Sequence, residues 1–367
     1  MGQYSYFYVG TYTKPILFGT GEIFEGKGEG IYLLKLNKEN AALESCELKI
    51  KTDNPSYLCL NKSGTILYAV NELKEYQGKQ EGAVTAFYID RKTGDLTKIN
   101  EFGTGGQDPC HLALSPNEEV LAVANFMTGS VSTYEVCDKG LKSKKGFSQH
   151  KGGSIHSIRQ KGPHAHSCIF IKGIPYLFVP DLGTDCLIAY YFDGEELAEA
   201  VNVTYKCMAG SGPRYGEYLT SQNKLYIINE LASSISVLEW IKADEKWECL
   251  QTISTIQKQC ENICADLHIL PNGKFLYASN RGADSLVVYS INEFTGKLSK
   301  VQEISCGGKT PRNFVIDYEG EFLLAGNQDS DQIAAFKIDN ESGMLYEVDR
   351  INAKTPVCLV QFPKDII

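Results

Sequence analysis

Two histidines one residue apart, His164 and His166 in the phrase GPHAH, stand in a chain that holds six in all. Farther along come Arg214 in GPRY, Glu230 in IINEL, Asp266 with His268 in ADLH, Arg281 in SNRGADS, Arg312 in PRNF, and Gln328 with Asp329 in GNQDS. Guanidinium forks match a carboxylate or phosphate through two parallel hydrogen bonds. Imidazole near neutral pH moves a proton to or from water or a ring oxygen. An arginine aimed at a developing oxyanion supplies roughly 2.7–4 kcal/mol of transition-state stabilisation. This inventory suits a small, anionic, oxygen-rich substrate. There is no GxSxG elbow and no Ser or Cys that stands out as a nucleophile, so attack by water is preferred to a covalent intermediate. No metal-binding spacing and no dinucleotide fingerprint occurs, so neither a metal nor a cofactor is expected.

Each group also has a plainer reading. His164 and His166 share one face of a strand, but no third metal ligand accompanies them, and one of them serves equally well as a structural residue. Arg214 lies one strand out and back from Glu230, a spacing that also suits an ion pair tying two strands together. Arg281 is placed to lock a turn through Asp284, and Arg312 to cap a loop through Asp329. Asn71, Asn125, Asn229, Asn280 and Asn327 recur at one turn, and such recurrence marks a structural turn residue.

The elements that must position these groups repeat. A Pro-led strand phrase ending in an Asn-rich turn opens near Pro55, Pro109, Pro163, Pro213, Cys264 and Pro311, at intervals of 47 to 54 residues. Each copy continues into an alternating strand, such as AVTAFYID from Ala83 or SLVVYSI from Ser285, whose period of two marks a half-buried strand. A tight turn then leads to a last strand, as in RKTGDLTKI, FTGKLSKVQEI and NESGMLYEVDRI, where Gly accepts positive φ. Four strands per repeat of about 50 residues define a propeller blade.

Six copies leave the ends over. TPVCLVQF from Thr355 is one more opening strand, and YSYFYVGTYT, GIYLLKLN and AALESCELKI supply the rest of that blade. The expected fold is therefore all-β: a seven-bladed propeller spanning 1–367 as one domain, closed by a blade built from both termini. Closure leaves no open sheet edge, which would be a liability. A net charge of −9 offers no basic face for nucleic acid or anionic membrane, and no apolar run of about 18 residues suggests a membrane span. The 12 cysteines are scattered and many lie in apolar strands, which fits reduced thiols in a cytoplasmic protein. A monomer or weak homo-oligomer is expected.

YVGTYT, GPHAH, GPRY, SNRGADSL, TPRNF and GNQDSD together, in order from about Tyr8 to Phe362, resemble the seven-bladed propeller lactonases. That family includes the bacterial propeller-type 6-phosphogluconolactonases and the fungal carboxy-muconate lactonising enzymes. The resemblance implies hydrolysis of 6-phospho-glucono-1,5-lactone in the oxidative pentose phosphate pathway. It also implies His164, Arg214, Glu230 and Arg281 as catalytic groups gathered at one face of the hub. His166, His268, Arg312, Gln328 and Asp329 are then candidates for substrate binding. The family often reads GPRH and SNRGHDS where this chain has Tyr215 and Ala283, so two imidazoles are replaced at the expected mouth, implying a slower, differently specific or inactive protein.

Metal-independent lactone hydrolysis by Arg anion binding and His/Glu acid–base chemistry is the leading expectation. A propeller that binds a sugar acid without turnover, or serves as a scaffold, is the alternative from another class. A lactonase for an unphosphorylated acid is a third. The segments 14–30, 74–82 and 142–162 extend turns and are expected to project beside the axial mouth, where loops tune specificity.

Overall fold

In the computed structural model, which describes residues 3–17, 21–192, 197–257 and 260–363, the repeat of the sequence becomes a strand register. Pro55 lies opposite Asn71, Pro109 opposite Asn125, Pro213 opposite Asn229, Cys264 opposite Asn280 and Pro311 opposite Asn327. Proline opens each of these innermost strands except the one that starts with Ile263, a position where its missing N–H costs no ladder bond. Just past that pair the register slips by one residue, a β-bulge that re-aims the side chain it carries. The residue before the proline takes positive φ at Asn54, Asp108, Gly212, Thr310 and Thr355. Asn, Asp and Gly tolerate this region, whereas a β-branched Thr there is strained.

Among the described residues the strands form seven antiparallel sheets, six of four strands and one of five, with a separate two-stranded ribbon. Blades 1 to 6 span 55–103, 109–149, 165–206, 213–254, 263–305 and 311–352. Blade 7 is the expected composite: Pro356–Gln361 is innermost, followed by Tyr4–Thr11, Gly30–Asn37 and Leu43–Lys51. The innermost strands touch in succession around the axis and close the ring between Pro356–Gln361 and Pro55–Leu60.

The core lies between blades. Each of seven large apolar clusters is shared by two neighbouring sheets, as where Tyr226 and Ile228 of blade 4 pack on Leu276 and Tyr289 of blade 5. Fully burying one such side chain stabilises by roughly 1.5–3 kcal/mol. Hydroxyl pegs add direction. Tyr8 donates to Gly94 O at 2.9 Å, Tyr226 to Gly296 O at 2.8 Å and Tyr277 to Gly343 O at 2.9 Å, each reaching a turn of the next blade. These are the Thr-Gly and Ser-Gly turns read from the sequence, with φ of +69°, +70° and +75°. The recurrent asparagines are structural too: Asn71 donates to Asp53 O, Asn280 to Thr255 O and Asn327 to Cys306 O, fastening each strand end to the chain entering its blade.

Two details differ from the sequence reading. In blade 3 the residue opposite the turn is Ala165, bridged to Asp181, so the equivalent of the other prolines is Ala165 and not Pro163. The ladder there is short, Ile169–Phe170, and Cys168 N donates to His111 Nδ1 of blade 2. In addition, Gly140–Gln149 is the outer strand of blade 2, so the lysine-rich start of 142–162 is sheet edge, where lysines discourage further pairing. Only 150–162 is a connection. Residues 18–20 of the 14–30 segment lie outside the described residues.

Candidate active site

The register stacks two rings of side chains around the hub. The first ring holds the bulge residues: Ser56, Cys110, His166, Arg214, Ala265, Arg312 and Val357. The second holds the residue after each turn partner: Tyr12, Glu72, Phe126, Leu182, Glu230, Arg281 and Gln328. Equivalence within the second ring is marked by one repeated hydrogen bond. Glu72 N donates to Asn54 O, Phe126 N to Asp108 O, Leu182 N to His164 O, Glu230 N to Gly212 O, Gln328 N to Thr310 O and Tyr12 N to Thr355 O, all at 2.7–3.2 Å. Arg281, opposite Ile263 in its strand pair, completes the set, so seven backbone positions are the same while seven side chains differ, and the chemistry is written in those differences.

A cavity of ≈ 810 Å³ opens over these rings. Cys110, His166 and Arg312 reach it from the first ring, and Glu72, Phe126, Glu230, Arg281 and Gln328 from the second. Ile16, Leu17, Ile23 and Phe24, a short ribbon pairing Ile16 with Phe24, form an apolar wall at one side. Asp329 stands at its rim. Below, Tyr57, His111 and Tyr215 fill the axis, with ring centroids 4.3 Å apart for Tyr57–His111 and 5.8 Å for Tyr57–Tyr215. Tyr215 is therefore floor, not mouth, and its ring backs the Arg214 guanidinium at 4.6 Å.

Glu230 is the electrostatic centre. Arg214 Nε lies 2.9 Å and Arg281 Nη2 2.9 Å from Oε2, and Arg159 Nη2 lies 2.6 Å from Oε1. Burial pushes this carboxyl up, but Arg281, Arg159 and Arg214 outweigh burial and hold it well below the usual carboxylate range. Burial and then Arg214 hold the His166 imidazole far below its ordinary value, so it is neutral at pH 7. Its Nε2 is 3.9 Å from Glu230 Oε2 and its Nδ1 3.7 Å from Cys110 Sγ. Burial lowers Arg281 to about 10. Arg312 is pulled down by burial but raised overall by Tyr12 and Glu72, and its Nη2 stands 3.9 Å from Glu72 Oε2. Glu72 accepts the Tyr12 hydroxyl at 2.9 Å, and burial raises its carboxyl. The Cys110 thiol is pushed up by burial and so stays protonated.

The structure brings Glu230, Arg281, His166, Arg312, Gln328 and Asp329 onto one cavity. Arg214 lies underneath, buried, with Nη1 on Ala265 O and Nε on Glu230; it positions the carboxylate instead of facing the cavity. His164 stands one level outward because Ala165 takes the proline's place. Its ring stacks on Phe126 at 4.6 Å and its Nδ1 engages Phe126 O at 2.9 Å. His268 does not line the cavity. It sits toward the opposite end of the hub, between Glu217 Oε2 at 3.3 Å and Asp266 Oδ2 at 3.2 Å. The alternation of its strand carries it there, five residues beyond the end that holds Arg281's partner Ile263.

Arg281 pairs with Glu230 and not with Asp284, whose Oδ1 accepts Thr310 N at 2.8 Å. Arg312 is directed to Glu72, and Asp329 instead accepts the Thr310 hydroxyl at 2.5 Å. Sequence reasoning passed over Arg159 and Cys110, and left Glu72, which it reads at the same turn position as Glu230, out of the site. For two of them a signal existed: Glu72 follows Asn71 as Glu230 follows Asn229, and Cys110 follows Pro109 as Arg214 follows Pro213. Nothing in the spacing marks Arg159.

A closed seven-bladed propeller with an arginine-rich, carboxylate-centred pocket at its hub defines the class. The family pattern described as "Lactonase, 7-bladed beta-propeller" matches residues 6–361, and the chain belongs to that family; it is a lactonase. A 6-phosphogluconolactonase of Bacillus subtilis is 32% identical over 313 residues, 84% of each chain. One from Formosa agariphila is 34% identical over 297 residues, 79% of this chain and 83% of its own. Among solved structures, a periplasmic gluconolactonase of Pseudomonas aeruginosa superposes with a TM-score of 0.89 at 28% identity, covering 98% of this chain and 99% of that one.

Proposed function

We propose that this lactonase hydrolyses 6-phospho-glucono-1,5-lactone to 6-phosphogluconate, the step that serves the oxidative pentose phosphate pathway. The observation that carries the reading is the hub charge: three guanidinium groups converge on one carboxylate, and two of them, Arg159 and Arg281, line the cavity. Such donors favour an anion. The names of the relatives from Bacillus subtilis and Formosa agariphila agree with a phosphorylated sugar lactone.

In this reading Arg281 faces the phosphate and Arg312 the lactone carbonyl. His166, neutral and on the cavity, accepts a proton as water adds to the carbonyl carbon. Charge developing on the carbonyl oxygen is met by Arg312, and the imidazolium by Glu230. Collapse breaks the bond between carbonyl carbon and ring oxygen, and the proton passes to that oxygen, giving the open hydroxy acid. Arg214 holds Glu230 in place. No step is assigned to a metal. A cytoplasmic setting belongs to the reading, supported by 12 cysteines that all stand as free thiols.

The purified protein is expected to accelerate lactone opening above the spontaneous rate, with Arg312→Gln and His166→Gln each losing on the order of 10²-fold in kcat. A wild-type rate equal to buffer sinks the assignment. Tight 6-phosphogluconate binding without turnover would mark a binder instead.

A further inference from the structure

Arg159 sits on no blade. It belongs to the connection 150–162, whose backbone is tied to itself. Ser154 N donates to Gln160 O at 2.9 Å, Gln160 N to His156 O at 3.0 Å, and both Ile158 N and Arg159 N donate to His156 Nδ1. Gln160, fully buried, donates its side-chain amide to Leu182 O at 2.8 Å and pins this strap to blade 3. The neck is closed at Gly153, where a Cβ would stand 2.6 Å from Gln160 O. Most of the strap faces solvent, yet the Arg159 side chain turns inward and keeps only 11% of its surface exposed. The strap therefore holds its shape through bonds that do not involve the Arg159 guanidinium.

That guanidinium lands where positive charge is already in excess. Glu230 Oε2 is occupied by Arg214 and Arg281, and Arg159 takes Oε1. One carboxylate faces three cations, the neighbouring His166 is neutral, and the other buried acids of the cavity have their own cations: Glu72 has Arg312 and Asp108 has Lys74. Glu22, Glu261 and Asp329 stand at the solvent-exposed rim. Buried charge without compensation is costly, so the pocket favours a ligand that brings about two negative charges. A phosphate monoester carries nearly that at neutral pH, and a carboxylate carries one. The cavity-facing surfaces of the Arg159 and Arg281 side chains are what is left to meet it.

We propose that Arg159 is a specificity-determining residue which, with Arg281, grips a phosphate monoester on the substrate, so that the strap 150–162 selects phosphorylated over plain sugar lactones. This rests on the lactonase reading of the cavity and adds to it the residue that sets substrate class.

The test compares wild type, Arg159→Ala and Arg159→Lys on 6-phosphogluconolactone and glucono-1,5-lactone, alongside calorimetric titration with 6-phosphogluconate, gluconate and inorganic phosphate. The ratio of kcat/KM for the phosphorylated lactone to that for the plain one is expected to fall at least tenfold in Arg159→Ala, mainly through KM, with partial recovery in Arg159→Lys. Binding of 6-phosphogluconate and phosphate should weaken by a similar factor, and gluconate binding much less. An equal loss on both lactones, or unchanged phosphate binding, overturns the proposal. Should wild type open neither lactone yet bind phosphate through Arg159, the hydrolytic reading and the choice among lactones fail, and only the phosphate grip stands. Thermal melts of both variants check that the ring is intact.

Discussion

Arg214 Nε donates to Glu230 Oε2 at 2.9 Å inside a single blade, joining the first ring of hub residues to the second, and both side chains are almost wholly buried. The pair follows from one strand going out and one coming back, because the bulge that aims Arg214 toward the axis lies directly across from the turn that presents Glu230. Removing one partner of a buried pair strands the other. Arg214→Met is therefore expected to cost roughly 3–5 kcal/mol in urea unfolding, and the double change Arg214→Met with Glu230→Gln less than the sum of the singles. A single-variant loss below about 1 kcal/mol would show that Arg159 and Arg281 suffice to hold Glu230.

Two histidines outside the cavity give the stability curve opposite limbs. Burial holds His111 at about 3, so below the unfolded value near 6.5 the unfolded chain binds the extra proton and stability falls as pH drops toward 3. Burial also works against protonated His268, but Asp266 and Glu217 outweigh it and raise the group to about 10. Its contribution is present below 6.5 and is lost as pH rises through about 10. A third of that side chain is exposed, which softens the alkaline limb. Melting temperatures measured on either side of neutrality should decline both ways, and His268→Gln should flatten the alkaline side only. A parallel decline in that variant would remove His268 from the explanation.

Tyr215 stands where the family resemblance leads one to expect histidine, but its ring packs against Tyr57, His111 and His166 beneath the pocket. Tyr215→His is expected to keep lactonase activity within a few-fold and stability within about 1.5 kcal/mol, whereas Tyr215→Ala opens the floor and costs about 3–5 kcal/mol. A large gain of activity in Tyr215→His would instead mean that an imidazole at this position acts on substrate.

Blade 7 is held by pairs such as Val9 with Leu359 and Phe7 with Gln361, drawn from opposite ends of the chain. Deleting 355–367 removes its innermost strand and exposes two apolar interfaces. The truncated protein should fail to give a monomeric peak on size exclusion, or melt far below wild type. A soluble truncation with an unchanged melt would show that six blades and an open gap suffice.

The fold was largely legible in the sequence because each blade solves the same packing problem and so repeats the same signals: Pro or Cys opposite Asn, then a Gly turn. The placement of the candidate residues on one cavity was legible where they obey that register, as with Glu230, Arg281 and Arg312. It was not where the register shifts. His164 and His166 are indistinguishable by spacing, and only the bridge from Ala165 to Asp181 turns His166 inward and leaves His164 on Phe126. His268 was drawn in by its neighbour Asp266, although the alternation of a strand running down the hub carries it toward the far end. Arg159 had no periodic context at all, since its place depends on how a Gly-bounded strap folds back on Gln160.

The seventh blade has one more consequence. Val357, next to the carboxyl end, packs with Tyr12, next to the amino end, and Tyr12 in turn supports Glu72 at the pocket. A polypeptide still emerging from the ribosome has the early half of this contact and not the late half. Its hub can close only after the strand Pro356–Gln361 has been made, so the pocket matures after the blades around it.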